Sequence, residues 1–304
     1  MRIIKTCRLS FIRIFILCLI GVISSSAIAK QTTLTTWNLE WLSSSPYHKF
    51  PASNRHTKDY KKLQKYFQSV QPDILAFQEV NDLEAIRRVV GNQYQIYLSD
   101  RSTAKYAKNQ FGDINQYTGF AVRKSVSVLN KPDIKLEKSK TSRLRFASYI
   151  VLERPGKKPV HLLSVHLKAG CTGKYYNSHS CIALKREGSA THTWIVERTK
   201  RKQPYIVLGD FNHQLTRPGD WLWKLLSNNL APKPVLVTKN TNASCLTRSS
   251  KNANKIHRYR RLIDHIIASP SISLSPATQH AYTKNDVLSY RLSDHCPVST
   301  DIVD

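Results

Sequence analysis

Gly209-Asp210-Phe211-Asn212-His213 follows directly on the apolar run Tyr205–Leu208. A short β-rich run closed by glycine reads as a buried strand. A carboxylate, an amide and an imidazole therefore stand at its end. On extended chain, Asp210 and Asn212 lie two apart and share a face. A polar turn is the competing reading, since Asp and Asn are turn residues. The pattern recurs. "ILAFQEV" ends on Gln78-Glu79, "LLSVHLKAG" carries His166, and "RLIDHIIAS" carries Asp264 and His265. "LSDHCPV" sets Asp294-His295 before a strand, and "TTWNLEWL" sets Asn38 among aromatics. Any one of these could be a satisfied core polar group. Together they need partners, because unpaired buried charge is expensive. The economical solution is that they partner one another and a metal ion.

Glu79, Asp210 and Asp294, with Asn38 and Asn212, are hard oxygen ligands. Such a set suits Mg²⁺ first, with Mn²⁺ or Ca²⁺ as alternatives, rather than zinc. Histidines add groups that move protons near neutral pH. A hard divalent cation with two histidines suits the hydrolysis of a phosphodiester.

Strands and helices must bring these residues together. Residues 32–42 read as an opening strand. Residues 56–70 read as a helix, with Tyr60, Leu63, Phe67 and Val70 on one face. A buried strand follows at 73–80. "DLEAIRRVVG" reads as a helix capped by Asn81 or Asp82 and ended by Gly91. Strand-like runs follow at 94–98, 117–123, 146–152 and 160–167. Helices are expected over 182–200 and 219–228, and further strands over 205–210, 261–269 and 296–303. Many strands with interspersed helices suggest two stacked sheets with helices outside. Residues 30–304 show no composition break and read as one domain.

Residues 1–29 are a separate object. Arg2, Lys5, Arg8 and Arg13 precede the apolar "IFILCLIGVI", and "SSSAIA" follows. This is a signal-peptide pattern with cleavage after Ala29. The apolar run is short for a membrane span. An exported, periplasmic or extracellular protein is expected. Cys7 and Cys18 would leave with the leader; Cys171, Cys181, Cys245 and Cys296 would remain. Four cysteines in an oxidising compartment allow two disulfides in three connectivities. Cys171 and Cys181 bracket a polar loop, which favours a local bridge. Cys245–Cys296 is the other pairing, against a buried free Cys296.

The chain has 47 Lys+Arg against 20 Asp+Glu, a net +27. Removing the four basic leader residues leaves 43 against 20, or +23. Such charge points to a polyanion, either nucleic acid or an anionic membrane surface.

"TWNLEWL", "DILAFQEV", "SVHLKAG", "VLGDFNH", "LIDHIIAS" and "SDHCPV" occur in the order of the endonuclease/exonuclease/phosphatase superfamily, which the chain resembles. The resemblance spans the mature chain. It implies a DNase I-like α/β fold: a four-layered α/β/β/α sandwich of two mainly antiparallel sheets with outer helices. It implies Glu79 as principal metal ligand, with Asn38 and Asp294 beside the ion. Asp210 and Asn212 would position water and phosphate. His295 would be the catalytic histidine, oriented by Asp264, and His166 a general acid. Asp100 is the candidate to orient His166. Arg143, Arg145 and His213 are candidates to contact a phosphate. His265 matches no family role and reads as a core histidine.

The fold hosts several activities. Charge and the second histidine favour an exported, metal-dependent endonuclease, on DNA more than RNA, acting as a monomer. Trp41 or Tyr117 could stack on bases or belong to the core. The alternatives are a phospholipid phosphodiesterase of sphingomyelinase type, or a phosphoinositide phosphatase. "DWLWKLL" is then the lipid-facing candidate, although it reads better as an amphipathic helix. A non-catalytic basic nucleic-acid-binding protein would have lost a motif residue, and none is missing here.

Overall fold

The computed structural model describes residues 31–249, 252 and 254–303. The leader expected at 1–29 lies outside the described residues. The chain runs β1 (Thr32–Leu42), α1 (Thr57–Val70), β2 (Ile74–Val80), α2 (Leu83–Val90), β3 (Tyr94–Leu98), β4 (Tyr117–Arg123) and β5 (Val128–Lys135). Next come β6 (Phe146–Leu152), β7 (Val160–His166), α3 (His179–Lys200), β8 (Tyr205–Asp210), α4 (Trp221–Ser227) and β9 (Val235–Leu236). It ends with β10 (Leu246–Arg248), β11 (Ile256–Arg258), β12 (Asp264–Ala268), β13 (Thr278–Gln279), α5 (Lys284–Ser289) and β14 (Val298–Ile302).

One six-stranded sheet has the order β13-β14-β1-β2-β4-β3, and a second has β5-β6-β7-β8-β12-β9. Each contains one parallel pair, β1/β2 and β7/β8, and its other pairings are antiparallel. Three apolar clusters fill the gaps between four layers. Leu34, Ile74 and Phe120 of the first sheet meet Ile150, Leu162, Ile206 and Ile266 of the second. Trp37, Leu75 and Phe77, on the opposite face of the first sheet, pack beneath Leu63, Phe67, Ile86 and Val89 of α1 and α2. Leu163, Val165 and Val207 of the second sheet pack beneath α3 and α4. This is the four-layered sandwich.

The helices start where polar caps satisfy free amides. The Asp82 carboxylate accepts from Ala85 N, Ser178 from Cys181 N and Asp220 from Trp223 N. Helix α3 thus begins at His179, three residues earlier than expected. β5 escaped the sequence reading. It is an edge strand containing Pro132, and its pairing with β6 shifts between Lys131 and Ile134. Proline interrupts the alternation that marks a strand, and an edge bulge tolerates it. The short β9, β10, β11 and β13 carry too few residues to show a period.

Candidate active site

The faces between the sheets change character along each strand. On β1 the inward sequence is Leu34-Thr36-Asn38; on β2 it is Ile74-Ala76-Gln78. On β7 it is Leu162-Ser164-His166, and on β8 Ile206-Leu208-Asp210. Aliphatic packing thus gives way to polar groups at one end of the sandwich. That end is where both parallel pairs terminate. In register, Asn38 pairs with Gln78, His166 with Asp210, and Asp264 of β12 with Asp210. Among the bonds that cross between the sheets, Asn38 Nδ2 donates to Asp210 Oδ2 at 3.0 Å, and Gln78 Nε2 to Ser164 Oγ at 3.2 Å. Gly209 lets β8 lie this close to β7. A Cβ there would sit 2.0 Å from the Val165 carbonyl oxygen.

Four non-glycine residues at this end have left-handed backbones: Glu40, Trp41, Glu79 and Asn212. Such residues cost energy and gather at functional sites. Between the Asn38/Gln78 and Leu42/Val80 pairs, three residues of β1 oppose one of β2. This bulge re-aims Glu40 and Glu79. Glu79 accepts from Asn38 Nδ2 and from Trp41 N, both at 3.1 Å. Asn38 Oδ1 accepts from Glu40 N at 2.9 Å. Asn38 therefore orients three acids. Asn212 reaches Asp210 through a turn, not through a two-residue strand period. Its N–H donates to Asp210 Oδ1 at 2.7 Å, and its Nδ2 to Asp210 Oδ2 at 3.2 Å.

His295 Nδ1 and Asp264 Oδ2 are 2.8 Å apart, so Nε2 faces Asp210 at 3.7 Å and Asp294 at 3.8 Å. Burial alone would push the imidazole down, but Asp264, Asp210 and Asp294 hold it well above its ordinary value. Burial raises Asp210, with Asp264 adding to the shift and His295 opposing it.

Sequence reasoning passed over Glu40 and Arg55. Glu40 Oε2 accepts from Asp294 N at 3.0 Å. Burial first, then Asp294 and Glu79, push its carboxyl up, against Arg55 and His295. Buried Arg55 donates to the carbonyls of Leu39, Glu40, Arg291 and Leu292. It ties the end of β1 to the loop that carries Asp294. Glu40 lay within "TWNLEWL", but only the bulge turns it inward. No local pattern marks Arg55.

On the other flank His166 is fully buried. Its ring faces Arg145, with Nη2 2.7 Å from Nε2 and Nε 3.1 Å from Nδ1. Burial, then Arg145, holds this imidazole well below its ordinary value. Asp100 does not orient it. Asp100 Oδ2 accepts from Asp133 N at 3.0 Å, and Asp133 Oδ2 from Asp100 N at 2.9 Å. These bonds clamp the chain after β3 to β5. His213 is not a phosphate contact either. It is buried, with Nδ1 against the Cys171 carbonyl and Nε2 2.7 Å from Asp220 Oδ2. His265 lies on the outer face of β12, with Nδ1 2.8 Å from Thr238 Oγ1. Tyr117 is core, while half-buried Trp41 stacks on Phe50 at 4.0 Å. Arg143 lies over Phe111 and, with Arg145, Lys168 and Arg186, lines a groove of about 700 Å³. Disulfides join Cys171 to Cys181 and Cys245 to Cys296.

The donor set fits a hard divalent cation. Glu79, His166 and Asp210 bring ligand atoms within 4.8 Å of one another, as do Asp210, Asp264 and His295. Burial and neighbouring acids push the carboxyls of Asp210 and Glu40 up, a cost that a cation would relieve. Asp264 Oδ1 is also buried without a hydrogen-bond partner.

Among curated proteins no match is found. Among solved structures, a truncated TDP2 from Caenorhabditis elegans superposes with a TM-score of 0.56 at 18% identity, covering 90% of this chain and 97% of that one. A mannosyl-6-phosphatase from Bacteroides thetaiotaomicron gives 0.63 at 14% identity, covering 90% and 100%. TDP2 from D. rerio, complexed with a single-strand DNA product, gives 0.58 at 17%, covering 89% and 98%. These likenesses establish the fold. Residues 35–295 match the sequence pattern of one family, and those bounds enclose every acid and histidine of the site. The chain belongs to the Endonuclease/Exonuclease/phosphatase family, hydrolases of phosphoester bonds.

Proposed function

We propose that the chain is an exported, metal-dependent nuclease that cuts nucleic-acid phosphodiesters internally, with DNA as its substrate. The observation that carries this reading is the position of the acids. Glu40 and Asp294 line one open groove of about 720 Å³, and Arg145, beside His166, lines a second of about 700 Å³; both have basic side chains in their walls. A polymer can pass through such a site, whereas a small ester needs one pocket.

Glu79 and Asp294, oriented through Asn38 and Glu40, would hold Mg²⁺. When bound, the cation supplies Lewis acidity to the phosphoryl oxygens and charge against the developing negative centre. Asp210 and Asn212 position water and a non-bridging oxygen. His295, aligned by Asp264, would take the proton from water, with a bound cation offsetting the acids that hold its pKa up. Arg145 lies beside His166, and its permanent charge stabilises the leaving oxygen. His166 as sole general acid fits poorly, because burial and Arg145 keep it neutral. It serves better as a hydrogen-bonding partner on that side.

Export rests on the leader pattern of residues 1–29 and agrees with the two disulfides. Among the described residues no helix is long and apolar enough to cross a membrane. A lipid substrate is the second reading, and one observation favours it. Tyr175 and Tyr176 stand exposed on the loop closed by Cys171–Cys181. "DWLWKLL" is not that element, since α4 buries Leu222 and Leu226 in the core.

The test incubates oxidised protein lacking residues 1–29 with supercoiled plasmid. It uses Mg²⁺, Mn²⁺ or Ca²⁺, a chelator control, a His295→Ala control, and sphingomyelin vesicles in parallel. Metal-dependent nicking that vanishes in both controls is the expected result. Intact plasmid with hydrolysed lipid would replace the nuclease reading by the lipid one.

A further inference from the structure

Strands β10 and β11 form a two-stranded sheet apart from the two large ones. The Cys245–Cys296 disulfide anchors it. Cys245 immediately precedes β10, and Cys296 immediately follows His295. The chain through the end of β11 reads His257-Arg258-Tyr259-Arg260-Arg261, and all five side chains are exposed. Leu262 then turns inward, and Asp264 meets His295. Three arginines and an aromatic ring are thus strung directly before a residue of the catalytic pair.

Among the described residues, Arg258, Arg260 and Arg261 have no carboxylate partner; Arg261 donates instead to Gln214 Oε1 at 3.3 Å. Three such cations within four residues repel one another, which a polyanion would relieve. His257 and Tyr259 pack edge to face with ring centroids 4.6 Å apart. Both line the 720 Å³ groove that contains Glu40 and Asp294, where Lys58 and Arg291 also lie. A small ester held at the acids would use none of the three arginines. A chain of phosphodiesters that continues along the groove past Asp294 would meet His257 and Tyr259 and run beside the exposed arginines of the same segment.

We propose that His257–Arg261 is the track for the substrate's backbone on the Asp294 side of the site. Arg258, Arg260 and Arg261 hold phosphates beyond the scissile one, and Tyr259 stacks on a base. The proposal rests on the nuclease reading above and adds to it the segment that selects a polymer over a small ester. The disulfide fixes the segment's distance from His295.

The test compares Arg258→Gln/Arg260→Gln/Arg261→Gln with a control losing the same charge, Lys157→Gln/Lys158→Gln/Lys202→Gln. The control lysines are exposed and lie where β7 and β8 begin, at the end of the sandwich away from the site. Each protein is assayed on single-stranded oligonucleotide and on bis(p-nitrophenyl) phosphate across a salt series. For the arginine variant, the ratio of oligonucleotide to small-diester kcat/KM should fall at least tenfold. The slope of log kcat/KM against log salt on oligonucleotide should shrink by about 2, for three lost phosphate contacts. The control ratio should stay within twofold. Tyr259→Ala should lower oligonucleotide kcat/KM about tenfold, and Tyr259→Phe should restore it, because stacking needs the ring and not the hydroxyl. Equal effects of arginine variant and control would overturn the track, as would parallel losses on both substrates. A wild-type protein that turns over the small diester but no oligonucleotide would overturn the nuclease reading and the track with it.

Discussion

Asn38 and Asp210 join the two sheets: Nδ2 of one donates to Oδ2 of the other at 3.0 Å, with both residues buried. The same amide donates to Glu79, and its oxygen accepts from Glu40 N. One neutral side chain therefore sets the spacing of three acids. Asn38→Leu keeps the bulk and removes these bonds. The rate of phosphodiester hydrolysis should drop about 10²- to 10³-fold, the range for losing one aligned donor. Stability in urea should fall by about 1–3 kcal/mol, because Asp210 loses a buried donor. A variant with wild-type rate would show that the spacing of the acids does not matter.

Arg145 and His166 make the second test. Burial and the guanidinium both push the imidazole down. Arg145→Ala removes the second cause, so His166 should titrate at higher pH than in the wild type, followed by its Cε1–H resonance. If the guanidinium stabilises the leaving oxygen, kcat should fall by about 10². Rescue should then grow with the acidity of the leaving group, a p-nitrophenolate suffering less than a nucleoside. An unchanged leaving-group dependence would place Arg145 outside the chemistry.

Most strands were legible because they alternate or are wholly apolar. The acids and histidines were legible because they interrupt those runs. What escaped depends on other kinds of information. Glu40 turns inward through a bulge, and a period of two does not encode a bulge. Arg55 acts by donating to four carbonyls from two distant segments, so no local pattern reveals it. Asp100 was misread because its nearness in sequence to a strand end says nothing of its direction. Its partner, Asp133, sits on β5, the strand that Pro132 concealed. His213 follows the GDFN block directly, yet the turn at Asn212 sends it to Asp220. Convergence was readable from residue types, whereas orientation needed the backbone.

The two disulfides should differ in what their loss does. Cys245–Cys296 closes 51 residues and Cys171–Cys181 closes 10. Loop-closure entropy assigns them about 4 and about 3 kcal/mol. The larger effect on activity should also follow Cys245→Ser/Cys296→Ser, since Cys296 adjoins His295 and the bridge anchors the β10/β11 pair. Cys171→Ser/Cys181→Ser should lower the melting temperature and leave kcat on a small diester within a few-fold. Chemical denaturation with parallel kinetics would decide. Equal kcat losses in both double variants would mean that the 245–296 bridge does not hold the site.

His265 predicts the pH dependence of stability. Burial pushes its pKa from the ordinary 6.5 down to about 4, with Thr238 Oγ1 2.8 Å from its Nδ1. The folded state therefore favours the neutral ring. Its contribution is complete above about pH 6.5 and is lost as pH falls toward 4, where the unfolded chain binds a proton that the folded chain refuses. The shift corresponds to roughly 3 kcal/mol at most. His161 is also pushed down to about 4, by burial and then Arg198, and acts with the same sign. His265→Gln should therefore remove part of the slope of stability against pH between about 6.5 and 4. His161→Gln/His265→Gln should remove more. Urea denaturation at a series of pH values, in chelator so that metal affinity does not contribute, measures both. A slope in that window unchanged by either variant would show that the two rings do not govern acid unfolding.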